Sequence, residues 1–158
     1  MRKDFMGLVL AGTLAAGSAG ATDAAMPETV VDAWTADRSQ FFDAAEIDLD
    51  DLKWVARPVV VFADTELNPA FQEQVDLLEE RLSELADRDV ILITDTDPDA
   101  RSELRTKLRP RGFMLVLIGK DGGVKLRKPF PWDVRELTRS IDKMPLRQQE
   151  IRDEKAGG

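Results

Sequence analysis

Met114-Leu115-Val116-Leu117-Ile118, then Gly119-Lys120-Asp121-Gly122-Gly123, then Val124-Lys125-Leu126-Arg127 is the stretch that decides the fold. The first five residues are a continuous apolar run, as in a strand covered on both faces. Asp121-Gly122-Gly123 accepts the positive φ of a tight hairpin turn. The last four alternate apolar and charged, as in a strand with one wet face. An antiparallel hairpin is therefore expected here.

Two β-α units precede it. Val59-Val60-Val61-Phe62-Ala63 reads as a buried strand, and Asn68-Pro69 offers an N-cap and a first-turn proline. Phe71, Val75, Leu78, Leu82 and Leu85 then mark one stripe of a helix running to about Ala86. Val90-Ile91-Leu92-Ile93 is a second buried strand. Asp97-Pro98 repeats the cap-plus-proline start, with Ala100, Leu104 and Leu108 on one face of a shorter helix. After the hairpin, Asp133 and Glu136 form a capping-box pattern. Val134, Leu137, Ile141 and Met144 line the last core helix, and Leu146 to Lys155 suits a polar terminal helix. The order is β-α-β-α-β-β-α, with right-handed crossovers. It predicts an α/β domain with a mixed four-stranded sheet and helices on both faces, over residues 52–144, followed by a C-terminal helix and tail over 145–158.

The N-terminal third differs in character. Met1-Arg2-Lys3, the apolar stretch Phe5 to Ala16 and Ala19-Gly20-Ala21 have the three-part layout of a secretory signal peptide, 1–21, cleaved near Ala21. The stretch is too short and too diluted by Gly and Ala for a membrane anchor, and no later segment approaches transmembrane length. Export to the periplasm, or secretion, is the expected localisation. Residues 22–51 form an acidic leader, expected to hang loosely to about Ala36. Phe41, Phe42, Ile47, Leu49, Leu52 and Trp54 are expected to pack its later part on the domain.

Composition removes most chemistries. The 158-residue chain has no Cys, His or Tyr. Disulfides, thiolate metal sites and thiol redox are excluded by the first absence, and the commonest general base and metal ligand by the second. No cofactor and no metal is expected. Asp95, Asp97 and Asp99 alternate like the opening of a calcium loop, but Ala100 and Thr106 stand where that loop needs Gly and Glu. They read as a strand end and helix cap.

The element order is that of the thioredoxin core. Leu117 to Arg127, followed by Ile141-Asp142-Lys143-Met144-Pro145-Leu146-Arg147-Gln148-Gln149-Glu150, resembles the domain-of-unknown-function family 4174. That family is a peroxiredoxin-like group in exported bacterial proteins and extracellular vertebrate matrix proteins. The resemblance spans about Leu52 to Arg152. It implies a thioredoxin-like fold and brings no established activity. Gly119, Lys120, Asp121, Gly122, Met144, Pro145, Arg147 and Glu150 carry the motif and read as structural, with Arg147 reaching the hairpin at Lys120-Asp121 to dock the tail. Catalytic thioredoxins open their first helix with Cys-x-x-Cys; here Ala63-Asp64-Thr65-Glu66-Leu67-Asn68-Pro69 holds no thiol. Thiol oxidoreductase and peroxidase activity are thereby excluded. A non-thiol enzyme using carboxylates such as Asp64 and Glu66 in this degenerate loop, beside Thr65, is the alternative to a binding module.

Charge gives the functional lead. The chain has 22 Lys+Arg against 30 Asp+Glu, net −8, yet residues 101–128 hold nine cations and two acids. Intramolecular pairing is one reading of this excess. An anionic ligand or envelope-protein partner bound by Arg109, Arg111, Lys120, Lys125, Arg127 and Lys128 is another. Nucleic acid is disfavoured for an exported, acidic protein with few aromatics near the segment.

Overall fold

The central strand is Arg57–Phe62 (β2), in which every residue is buried. In the computed structural model, which describes residues 29–158, β2 lies between a parallel and an antiparallel neighbour. Val90–Asp95 (β3) runs parallel to it, with Val59 opposite Leu92. Met114–Ile118 (β4) runs antiparallel, with Val60 opposite Val116. The expected hairpin closes that side: Val124–Lys128 (β5) pairs with β4 through a bulge at Leu117/Ile118.

Among the described residues the sheet has five strands rather than the expected four, in the order Phe41–Asp43, β3, β2, β4, β5. The extra strand is Phe41–Asp43 (β1), drawn from the acidic leader and paired parallel to β3. At three residues it is too short to show a period in sequence.

Alternate residues of the central strands feed two cores. Val59, Val61, Leu92, Leu115 and Leu117 face one side, where Pro69–Glu79 (α3), Leu82–Ala86 (α4) and Val134–Asp142 (α6) supply Leu78, Leu85, Leu137 and Ile141. Val60, Phe62, Ile91, Ile93 and Val116 face the other. There the only helix after β3 is the six-residue Glu103–Leu108 (α5), too small to cover the sheet alone. The leader completes the cover. Val30–Ala36 (α1) and Leu49–Leu52 (α2) bring Trp34, Leu49 and Leu52, with Phe42 and Ile47 between them.

The expectation that the leader hangs loosely to Ala36 is therefore corrected from Thr29 onward. Trp34 is 2% exposed, donates its indole N–H to Val90 O at 3.2 Å, and lies under the Arg38 guanidinium at 4.4 Å. The proposed signal peptide and the leader up to Glu28 lie outside the described residues. No helix among the described residues is long and apolar enough to cross a membrane.

Helix boundaries also shift. The first helix breaks at Glu80-Arg81 into α3 and α4, keeping both Leu78 and Leu85 buried. Asp97-Pro98 starts only a 3-10 turn, because Arg101 turns left-handed at φ 47° and Ser102 caps α5 afresh. Asp133 caps the Arg135 N–H of α6, while Glu136 pairs forward with Arg139 at 2.7 Å instead of closing a capping box. The terminal helix, Pro145–Ala156 (α7), forms as expected.

Replacing a buried tryptophan by alanine removes its burial and leaves a cavity. Trp34→Ala is expected to lower stability by about 3–4 kcal/mol in urea unfolding. A loss under about 1 kcal/mol means that α1 is not part of the cooperative fold.

Candidate ligand cleft at the hairpin turn

The sheet has two ends, and the sequence-derived site residues divide between them. At the C-terminal ends of β2 and β3 lies the loop that in thioredoxins carries the thiols. Here Asn68 caps Ala70 and Phe71 at the head of α3. Asp64, Thr65 and Glu66 are exposed, and Leu67 is 78% exposed. Neither Asp64 nor Glu66 makes an ion pair or side-chain hydrogen bond among the described residues. The loop before β4 reaches the same end, with Arg109 (φ 50°) and Gly112 (φ 59°) left-handed and both Arg109 and Arg111 exposed.

Asp95, at this end, is not a metal ligand in waiting. It is buried and accepts from Arg105 Nη2 at 2.9 Å and from the Ser102 hydroxyl. Among the described residues no group of three Asp or Glu is placed to hold a metal ion.

The opposite end gathers the family-like motif. Arg57 opens β2 and is 1% exposed. Its Nη1 donates to Arg88 O at 2.9 Å and its Nη2 to Glu150 Oε1 at 3.1 Å. Lys120, in the hairpin turn, donates to the same Glu150 oxygen at 2.7 Å and to Asp89 at 2.8 Å. Arg147 donates to Glu150 Oε2 at 3.3 Å. Arg88 holds Asp142, at the end of α6, through two bonds of 2.9 and 2.8 Å. Arg38 completes the set by pairing with Asp89 at 2.6 Å. The tail is thus docked on the hairpin, but by Glu150 on Lys120. The expected reach of Arg147 to Lys120-Asp121 is corrected: Arg147 braces Glu150 from within its own helix. A cation reaching Lys120 meets like charge, whereas Glu150 neutralises both Lys120 and Arg57.

Each glycine of the motif has its own cause. A Cβ on Gly119 lies 2.6 Å from Lys125 Cε and 2.8 Å from Asp121 Oδ1, so a side chain there collides with the Lys125–Asp121 pair. Gly122 has φ 82°, which glycine adopts without strain.

Between turn and helix opens a cleft of about 320 Å³ lined by Trp54, Arg57, Lys120, Lys125, Met144 and Leu146, with Gly119, Asp121 and Pro145 completing it. Lys120 and Lys125 of the basic set thereby meet the motif residues. The other four cations do not join them. Arg127 donates to Leu108 O at the end of α5, and Lys128 lies 4.7 Å over the Trp132 ring. Arg109 and Arg111 sit at the far end of the sheet.

Trp54 departs from expectation. It is 68% exposed, with φ 65°, its backbone N–H donating to Lys120 O at 2.7 Å. Arg57 was equally missed, although a charge at the head of a run as apolar as Val59 to Ala63 is itself a signal of a paired buried group.

The carboxylates respond to this setting. Burial works against Glu150's charge, but the bonds from Lys120 and Arg57 outweigh it and hold its pKa below the ordinary value. The Arg88 bond does the same for Asp142.

The family model "Domain of unknown function (DUF4174)" matches residues 48–150, which begin at the α2 cap and end at Glu150. The chain belongs to this family. No curated protein matches the sequence. Among solved structures, desulfothioredoxin from Desulfovibrio vulgaris Hildenborough is 21% identical with a TM-score of 0.50, covering 66% of this chain and 96% of its own. Prx1a of Plasmodium yoelii is 17% identical with a TM-score of 0.51, covering 66% and 82%. These likenesses establish the thioredoxin-like fold of this DUF4174 member, which keeps that fold without a cysteine.

Folded-state pKa values below the ordinary 4.5 and 3.8 of Glu150 and Asp142 mean that their ionised forms stabilise the fold at neutral pH. That contribution is lost as pH falls through the lowered folded values. With no histidine, the urea midpoint is expected to stay level from about pH 5.5 to 8 and to fall below about pH 4. Glu150→Gln is expected to flatten the acid limb; an unchanged limb means that Glu150 is not held by its cations.

Proposed function

We propose that this DUF4174 member is an exported, cysteine-free binding module of the cell envelope, with an anionic ligand or partner engaged at the hairpin end of the sheet. The observation that carries this reading is the meeting of Gly119–Asp121 from one motif half and Met144–Leu146 from the other in one cleft, with Arg57, Lys120 and Lys125 on its lining. The motif thus lies at the end opposite the thiol-free loop. Lys125 and Arg127 project from β5, the open edge of the sheet. Their field is local, because the whole chain is negative. Export rests on the basic, apolar and small-residue layout of residues 1–21.

A chain of net −8 binds phosphocellulose at pH 7 only through a local basic surface. The native chain is expected to be retained at low ionic strength, and Lys125→Glu, which changes a cation of the cleft lining, to elute earlier. Passage of the native chain contradicts the reading. N-terminal sequencing of the chain recovered from periplasm is expected to begin at Thr22; a chain beginning at Met1 contradicts cleavage near Ala21.

A further inference from the structure

The cleft at the hairpin turn has apolar walls and a charged floor. Trp54, Met144, Pro145 and Leu146 supply the walls, and Arg57, Lys120 and Lys125 the cations, against Asp121 as the lone acid of the lining. Asp121 is already engaged. One of its oxygens accepts from Lys125 at 2.8 Å and the other from the Gly123 N–H at 3.0 Å. That pair cancels Lys125 against Asp121, and Arg57 and Lys120 remain as the cations by which the lining favours an anion over a cation.

Four donors among the described residues remain for that anion. The Lys120 ammonium has three protons and spends two, on Asp89 and Glu150. Helix α7 begins in the cleft wall with Met144 at the cap and Pro145 first, and no side chain caps it. Among the described residues the backbone N–H groups of Leu146 and Arg147 have no acceptor, at the positive end of a twelve-residue helix. Arg57, 1% exposed and also lining the cleft, keeps a buried Nε without a partner among the described residues. Asp89 and Glu150 already offset much of the floor's positive charge, so one negative charge fits better than two.

Trp54 supplies the second half of the recognition. A bulky residue with φ 65° is strained, and such strain collects at ligand clamps. The hydrogen bond to Lys120 O holds this residue at the lip with most of its indole in water. Folding alone favours burying such a ring. A volume of about 320 Å³ is at the small end of ligand sites, enough for one ring or branched side chain.

We propose that the cleft binds a carboxylate carried on a short apolar or aromatic group. The apolar part lies against Trp54 and Pro145, and the carboxylate meets Lys120 and the first amides of α7. This rests on the anionic-ligand reading above and narrows it. Two sources share the chemistry: a small aryl or alkyl carboxylic acid, and the last residue of a peptide chain.

The test titrates the isotope-labelled chain with 3-phenylpropionate and with its neutral amide, following the Trp54 indole N–H and the Leu146 and Arg147 amides by NMR. The acid is expected to shift all three and to bind at least about tenfold more tightly than the amide, a single charge-assisted contact being enough for that factor. Trp54→Ala, which removes an exposed side chain, is expected to weaken the acid to a similar extent. A peptide ending in a free Phe carboxylate that binds more tightly than phenylpropionate identifies a peptide terminus as the source; the reverse order identifies a small acid. Equal binding of acid and amide, or no shift of these three resonances, overturns the proposal. If that occurs while phosphocellulose still retains the chain, only the carboxylate assignment falls; loss of both removes the anionic-ligand reading as well.

Discussion

A guanidinium with almost no water around it must find a carboxylate, and in this protein Arg57 finds Glu150, 93 residues further along the chain. Removing one member of such a pair leaves an uncompensated buried charge, a cost of about 3–5 kcal/mol. The surrounding structure follows from that requirement. Glu150 fixes where α7 lies, and Lys120 brings the hairpin turn onto the same oxygen. Asp89 ties Lys120 to Arg38, and Arg38 covers Trp34 of the leader. One connected set of charges thus joins the first described helix, the hairpin and the last helix across the head of the central strand.

That set also distinguishes the two ends of the sheet by their charge. In thioredoxin chemistry the C-terminal ends of the strands matter, since a helix start there lowers a thiol pKa. This chain keeps the helix start, capped by Asn68, and places an exposed thiol-free loop before it. Arg57, the 119–123 turn and the α6–α7 junction meet at the opposite end. The connected ion pairs therefore lie at the pole of the fold opposite the thiol-free loop. A fold-level likeness to redox proteins therefore says nothing about the site.

The sequence was readable where a single period or a capping residue decides the outcome. The three central strands, the hairpin and the α6 stripe follow from alternation and apolar runs, and the Asn68 and Asp133 caps stand where side-chain oxygen chemistry puts them. It was unreadable where a partner far along the chain decides. Phe41–Asp43 becomes a strand only because β3 offers an open edge, and α1 is ordered by the pocket under Arg38 that takes Trp34. Strand direction splits the basic excess of residues 101–128 between the two ends of the sheet. Lys120 and Lys125 go to one end, Arg109 and Arg111 to the other, and Arg105 is consumed by Asp95. The tail docks on the hairpin with the opposite polarity to the one expected, through Glu150 rather than Arg147. Which of Arg147 and Glu150 faces Lys120 depends on helix phase and on the buried Arg57, and neither is visible in local spacing.

A double-mutant cycle between Arg57→Met and Glu150→Gln, read by urea unfolding at pH 7, tests the organising role of this pair most directly. Glu150→Gln is expected to cost about 3 kcal/mol in the native background and far less once Arg57 is methionine, giving a coupling of about 1–2 kcal/mol or more. Costs that add to within about 0.5 kcal/mol contradict the account, because they mean that α7 is held on the sheet by something other than the Arg57–Glu150 bond.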